Sequence, residues 1–132
     1  MYKVISFLSI ITVLFSACSS SPSAAEIGQY TTMEVDPTVD AGTVAKGEVV
    51  ETTITLKNTG DYPLIIADVK EACSCTVSEY PEEPIAPGET GTIKASIDTD
   101  RTGKGVINKP VTITANTRPS TTTVTITAKV IG

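Results

Sequence analysis

A chain of 132 residues with 15 acidic against 10 basic side chains carries a formal net charge of −5, and it contains neither histidine nor tryptophan. Without imidazole, Ser-His-Asp and Cys-His catalysis and His-ligated zinc or copper centres, blue copper included, are excluded. The acidic balance and scattered basic residues argue against nucleic acid and anionic lipid headgroups as ligands.

Residues 1–17 read as an export signal. One charge at Lys3 precedes an apolar run from Val4 to Phe15, broken only by Ser6, Ser9 and Thr12, and the small Ala17 closes it. The run falls short of the roughly 20 residues that span a bilayer. Leu14-Phe15-Ser16-Ala17-Cys18 resembles the bacterial lipobox, with Phe15 where Leu is usual. That resemblance implies acylation of Cys18, and it accounts for an odd number of cysteines, three, in an exported chain. The alternative is an ordinary cleaved signal followed by an unmodified cysteine. Each buried CH₂ of an acyl chain contributes about 0.8 kcal/mol, so several chains hold a protein on a membrane durably. Residues 18–30, which include Ser19-Ser20-Ser21-Pro22-Ser23, read as a flexible tether. Ser19 rather than Asp, and no acidic run after Cys18, favour the outer membrane facing the periplasm. Residues 31–132 are then a single domain.

Within it, alternation at period two predicts half-buried strands. Val50, Thr52, Ile54 and Leu56 share one face. Asn58-Thr59-Gly60-Asp61-Tyr62-Pro63 is a turn, and the continuous apolar run from Leu64 to Val69 suits a central strand. Pro81, Pro84 and Pro87-Gly88 mark a rigid loop. Ile93, Ala95 and Ile97 alternate next, then Val111, Ile113 and Ala115, then Val124, Ile126, Ala128 and Val130, with turns at 102–105 and 116–119 between them. About seven short strands, without helical periodicity after residue 17, predict an all-β, immunoglobulin-like β-sandwich.

Chemistry concentrates at Cys73-Ser74-Cys75. Cysteines two apart on a strand share a face, with Cα atoms about 6.6 Å apart, so a disulfide requires a bend at Ser74. Three readings stand: a structural pair of thiols or a local disulfide, a redox-active pair, or a Cu(I) site. Glu71 would raise a thiol pKa here, Lys70 is the only cation near in sequence, and no third soft ligand is evident. Asp98-Thr99-Asp100 mimics an EF-hand start but has Lys109 at the twelfth position, so it reads as a strand-ending turn. Glu82-Glu83, adjacent on a proline-rich loop, reads as solvated.

The landmarks also carry a family resemblance. Lys57-Asn58-Thr59-Gly60-Asp61-Tyr62-Pro63-Leu64-Ile65-Ile66 resembles the K-N-T-G-x-x-P-L-I-I signature of domain of unknown function 1573. Cys73-Ser74-Cys75-Thr76 is similar to its C-G-C-T motif, with Ser74 for Gly, and Ile85-Ala86-Pro87-Gly88-Glu89-Thr90-Gly91 to its I-A-P-G-x-x-G turn. Ala41-Gly42-Thr43-Val44 matches part of its F-G-x-V element. The resemblance spans roughly Asp40 to Gly132 and implies an Ig-like, exported or lipid-anchored bacterial protein, distantly similar to Hydin and major-sperm-protein domains. The expectation is a non-enzymatic, monomeric module without metal or cofactor, held to the membrane through Cys18 and binding an envelope protein. The alternative is a thiol-based redox or Cu(I)-handling protein using Cys73 and Cys75.

Overall fold

The computed structural model describes residues 28–132. Cys18, the export signal and the tether up to residue 27 lie outside the described residues. Eight strands form: β1 (Met33–Val35), β2 (Thr38–Ala45), β3 (Val49–Asn58), β4 (Ile66–Glu71), β5 (Cys75–Glu79), β6 (Thr90–Asp98), β7 (Gly105–Ala115) and β8 (Thr121–Ile131). They make two four-stranded sheets, β1-β3-β6-β5 and β2-β8-β7-β4, and so the expected immunoglobulin-like sandwich. The first strand changes sheets at Asp36-Pro37, where β1 leaves β3 and β2 takes up a parallel pairing with β8.

Period-two alternation builds the core. Ile54 and Leu56 of β3, Ile93 and Ile97 of β6, Val111 and Ile113 of β7, and Val124 and Ile126 of β8 are fully buried between the sheets. Threonines and charged groups occupy the outward positions of the same strands.

The run Leu64–Val69 does not form a central strand. Leu64 pairs only with Ile85 as an isolated bridge, and β4 lies at a sheet edge against β7. A bulge between Ile66 and Asp68 resets the phase, so Ile66 and Val69 both face the core. That reset makes the apolar run nearly continuous although one side of the strand is open.

The other edges are interrupted as well. β1 is three residues long. β2 is bulged between Asp40 and Thr43, where Asp40 Oδ1 accepts the Gly42 N–H at 2.8 Å, and β5 is bulged between Val77 and Glu79. Short, kinked edges resist indiscriminate strand pairing.

Candidate functional site

Two poles of the sandwich hold the residues that matter. At one pole β3 ends in Asn58, which continues the inward phase of Ile54 and Leu56 but is polar. Asn58 is fully buried, and all its side-chain capacity is used. Its Oδ1 accepts the Thr31 hydroxyl at 2.8 Å and the Gly60 N–H at 3.1 Å. Its amide donates to Tyr62 O at 2.7 Å and to Ile85 O at 2.9 Å, a residue 27 positions away. The main chain joins in: Asn58 N donates to Glu89 O, and Gly88 N donates to Asn58 O. Ala86-Pro87-Gly88-Glu89 closes on a Glu89 N–H to Ala86 O bond with Gly88 at φ 81°, a turn that wants glycine in its third place. The K-N-T-G and I-A-P-G motifs are therefore two halves of one clamp.

Gly60 and Gly91, one in each motif, are needed for space. A Cβ on Gly60 would overlap Thr31 Oγ1 and come within 2.7 Å of the Thr32 nitrogen; one on Gly91 would meet Ile85 Cδ1 and Pro81 Cγ at 2.5 and 2.9 Å. Asn116 repeats the device beside Asn58: its Oδ1 accepts the Ile65 N–H at 2.7 Å, and its amide donates to Pro63 O and Gln29 O. Arg118 stacks on the Tyr30 ring at 3.9 Å. The chain thus enters the domain at this pole.

The cysteines lie at the opposite pole. Ala72-Cys73-Ser74-Cys75 is a tight turn closed by Cys75 N–H to Ala72 O, with Ser74 in the left-handed region at φ 71°. The bend that a bridge would require is present, yet the cysteines are free thiols rather than a disulfide, Cys73 exposed and Cys75 buried. The turn takes Cys73 off the strand, so the two side chains do not share a face.

Ser74 is held by Oγ donating to Arg101 O at 3.0 Å. A cation that sequence order hides reaches the motif: the Lys109 ammonium donates to Cys73 O at 3.1 Å. Lys70 lies instead 3.9 Å from Asp68. Burial pushes the Cys75 thiol above its ordinary 9.0, Glu71 adds to this, and Lys109 and the Thr76 N–H oppose it. A raised thiol pKa is the reverse of what a thiolate nucleophile or soft-metal ligand needs near neutral pH.

Ser74→Gly should be about 1 kcal/mol more stable than Ser74→Ala in urea unfolding, because both lose the Arg101 bond and only Ala keeps the left-handed strain. In the folded chain an alkylating reagent should label Cys73 quickly and Cys75 only after unfolding, as read by peptide mass mapping. The thiol also sets a pH trend. The folded pKa lies above the unfolded one, so its contribution is complete below about pH 9 and is lost as pH rises through the folded value. Urea midpoints should fall above that pH in the native chain and less in Cys75→Ala.

At the same pole Thr99 continues the inward phase of Ile93, Ala95 and Ile97 and is fully buried. Its hydroxyl donates to Glu48 O at 2.6 Å, with Ala45 O at 3.2 Å, and accepts the Gly47 N–H at 2.9 Å. Asp98 caps the short 3₁₀ turn Thr99–Arg101 by accepting the Asp100 N–H at 3.0 Å, so the Asp-Thr-Asp run ends a strand, as expected.

Two sheets clamped at both ends by buried polar side chains define an Ig-like β-sandwich domain. The chain belongs to the family of proteins of unknown function DUF1573, whose family model matches residues 32–130. Among solved structures it is similar to a protein of unknown function from Porphyromonas gingivalis W83, with TM-score 0.66 and 22% identity over 76% of this chain and 47% of that one. It is similar to the ASH/PapD-like domain 7 of human CEP192, with TM-score 0.59 and 13% identity over 86% and 96% of the two chains. It is also similar to the secreted serine protease VesC of Vibrio cholerae, with TM-score 0.60 and 12% identity over 74% of this chain and 23% of that one. At these identities the likeness is one of fold. The chain spans about half or less of the Porphyromonas and VesC chains. No curated protein matches the sequence.

Proposed function

We propose that this chain is a lipid-anchored cell-envelope protein whose non-enzymatic Ig-like domain serves protein interaction or envelope architecture. The observation that carries the reading is how the signature residues are used. Asn58, Gly60, Gly88 and Gly91 are occupied in holding the main chain together. With these residues committed to the framework, function is left to the surface the domain presents. The lipobox-like segment at Cys18 supports anchoring, and the acidic, histidine-free composition supports a binding role over catalysis. In this reading the protein works as a monomer at the outer membrane, facing the periplasm, a location supported by Ser19 and the lack of an acidic run after Cys18.

The test is made in intact cells. A clickable fatty acid should label the native chain and not Cys18→Ser, and cross-linking in the envelope should capture the same partner protein repeatedly. Absence of labelling sinks the anchor, and absence of a reproducible partner sinks the interaction role. The thiol reading has less behind it, since Cys75 is buried with a raised pKa.

A further inference from the structure

The partner's docking place can be sought among the sheet edges. β5 pairs with β6 on one side only. The Asp98 N–H donates to Ser74 O at 3.0 Å, and the register continues Cys75 to Ile97, Thr76 to Ser96 and Val77 to Ala95. Bonded and non-bonded pairs alternate along an antiparallel ladder. Thr76 therefore faces β6 with its main-chain groups, and Cys75 and Val77 point theirs off the open edge. The Cys75 N–H is already taken by Ala72 O. Val77 is left presenting an N–H and a carbonyl outward.

Beside this edge runs an open groove of about 500 Å³. Val77, Tyr80 and Pro81 give it an apolar wall, and Glu79, Glu82 and Glu83 give it charge. Glu79 is engaged with Lys94 at 2.8 Å, whereas Glu82 and Glu83 are exposed and form no ion pair among the described residues. A second copy of the chain would bring carboxylates against carboxylates here, which disfavours edge-to-edge self-pairing. The bulge after Val77 keeps any added ladder short, so side chains in the groove must supply much of the selectivity.

We propose that this edge and groove take an extended basic segment of another polypeptide, which adds as a short strand beside β5. Its main chain meets Val77, alternate apolar side chains lie on Val77, Tyr80 and Pro81, and its lysines or arginines face Glu82 and Glu83. The inference rests on the interaction role proposed above and gives it a partner class and a surface.

The probe is an acetylated, amidated hexapeptide of alternating lysine and valine, titrated into the full chain by calorimetry. Saturable binding is expected. Glu82→Lys with Glu83→Lys, both exposed loop positions, should weaken it about tenfold or more. N-methylation of alternate amides, which keeps the charge but removes donors, should weaken it comparably, and a glutamate–valine peptide should not bind. No saturable binding, or equal binding of the N-methylated peptide, overturns strand addition. Equal binding by the charge-reversed protein overturns the role of the two glutamates. Envelope cross-linking separates the two levels: if the charge-reversed chain still captures the partner, the docking surface fails and the interaction role stands; if neither chain captures one, the interaction role itself fails.

Discussion

Asn58→Ala is expected to lower the unfolding free energy by about 3–5 kcal/mol, shifting the urea midpoint with little change in slope. The side chain makes four hydrogen bonds, so truncation leaves Gly60 N, Thr31 Oγ1, Tyr62 O and Ile85 O without this partner. Unsatisfied buried groups cost about 1–3 kcal/mol each, but Ile85 O still receives the Leu64 N–H at 2.8 Å, and relaxation at the part-buried Tyr62 and Gly60 contacts keeps the total below a simple sum. Against a domain stability of about 5–15 kcal/mol the loss is severe. Asn58→Asp should cost more at neutral pH, because it removes both donors and sets a carboxylate against two carbonyl oxygens. Its carboxyl would have a raised folded pKa, so stability should recover as pH falls, whereas Asn58→Ala should show no such recovery.

Thr99→Val should cost about 2–3 kcal/mol at the other pole. Valine fills the same volume, so no cavity arises, and the loss isolates the hydroxyl. The Gly47 N–H loses its acceptor and Glu48 O its side-chain donor, in a residue with no solvent exposure. Glu48 O still receives the Thr99 main-chain N–H at 3.2 Å, which places the effect below that of Asn58→Ala. A Thr99→Ser variant keeps the hydroxyl and should recover most of the loss, apart from a methyl's worth of burial. Urea denaturation of the three chains checks the order.

Much of the sandwich was legible because burial follows period two. β3, β6, β7 and β8 alternate cleanly, and each lies inside a sheet. β1, β2 and β5 were not assigned from sequence, and each is an edge: β1 is too short to show a period, and β2 and β5 carry a bulge that breaks theirs. The same effect disguised β4, whose bulge turned alternation into an apolar run. The clamps were missed although a signal existed. Asn58 follows Leu56, and Thr99 follows Ile97, in the apolar phase of their strands; a polar residue there, at a strand end, marks a buried hydrogen-bonding hub. The free state of the cysteines was not legible, since it depends on a turn that exposes one thiol and buries the other. Lys109 reached Cys73 only through the pairing of β4 with β7.

The parallel pairing of β2 with β8 has a mechanical consequence. Thr31 sits at the Asn58 pole and Ile131 at the other, at the far end of an 11-residue strand about 35 Å long. A pull applied at these two residues draws β2 and β8 past one another lengthwise. Their interstrand bonds, from Thr38 with Thr125 to Ala45 with Ile131, then bear the load together instead of opening one at a time. The sandwich is braced against tension applied along its long axis between these two residues.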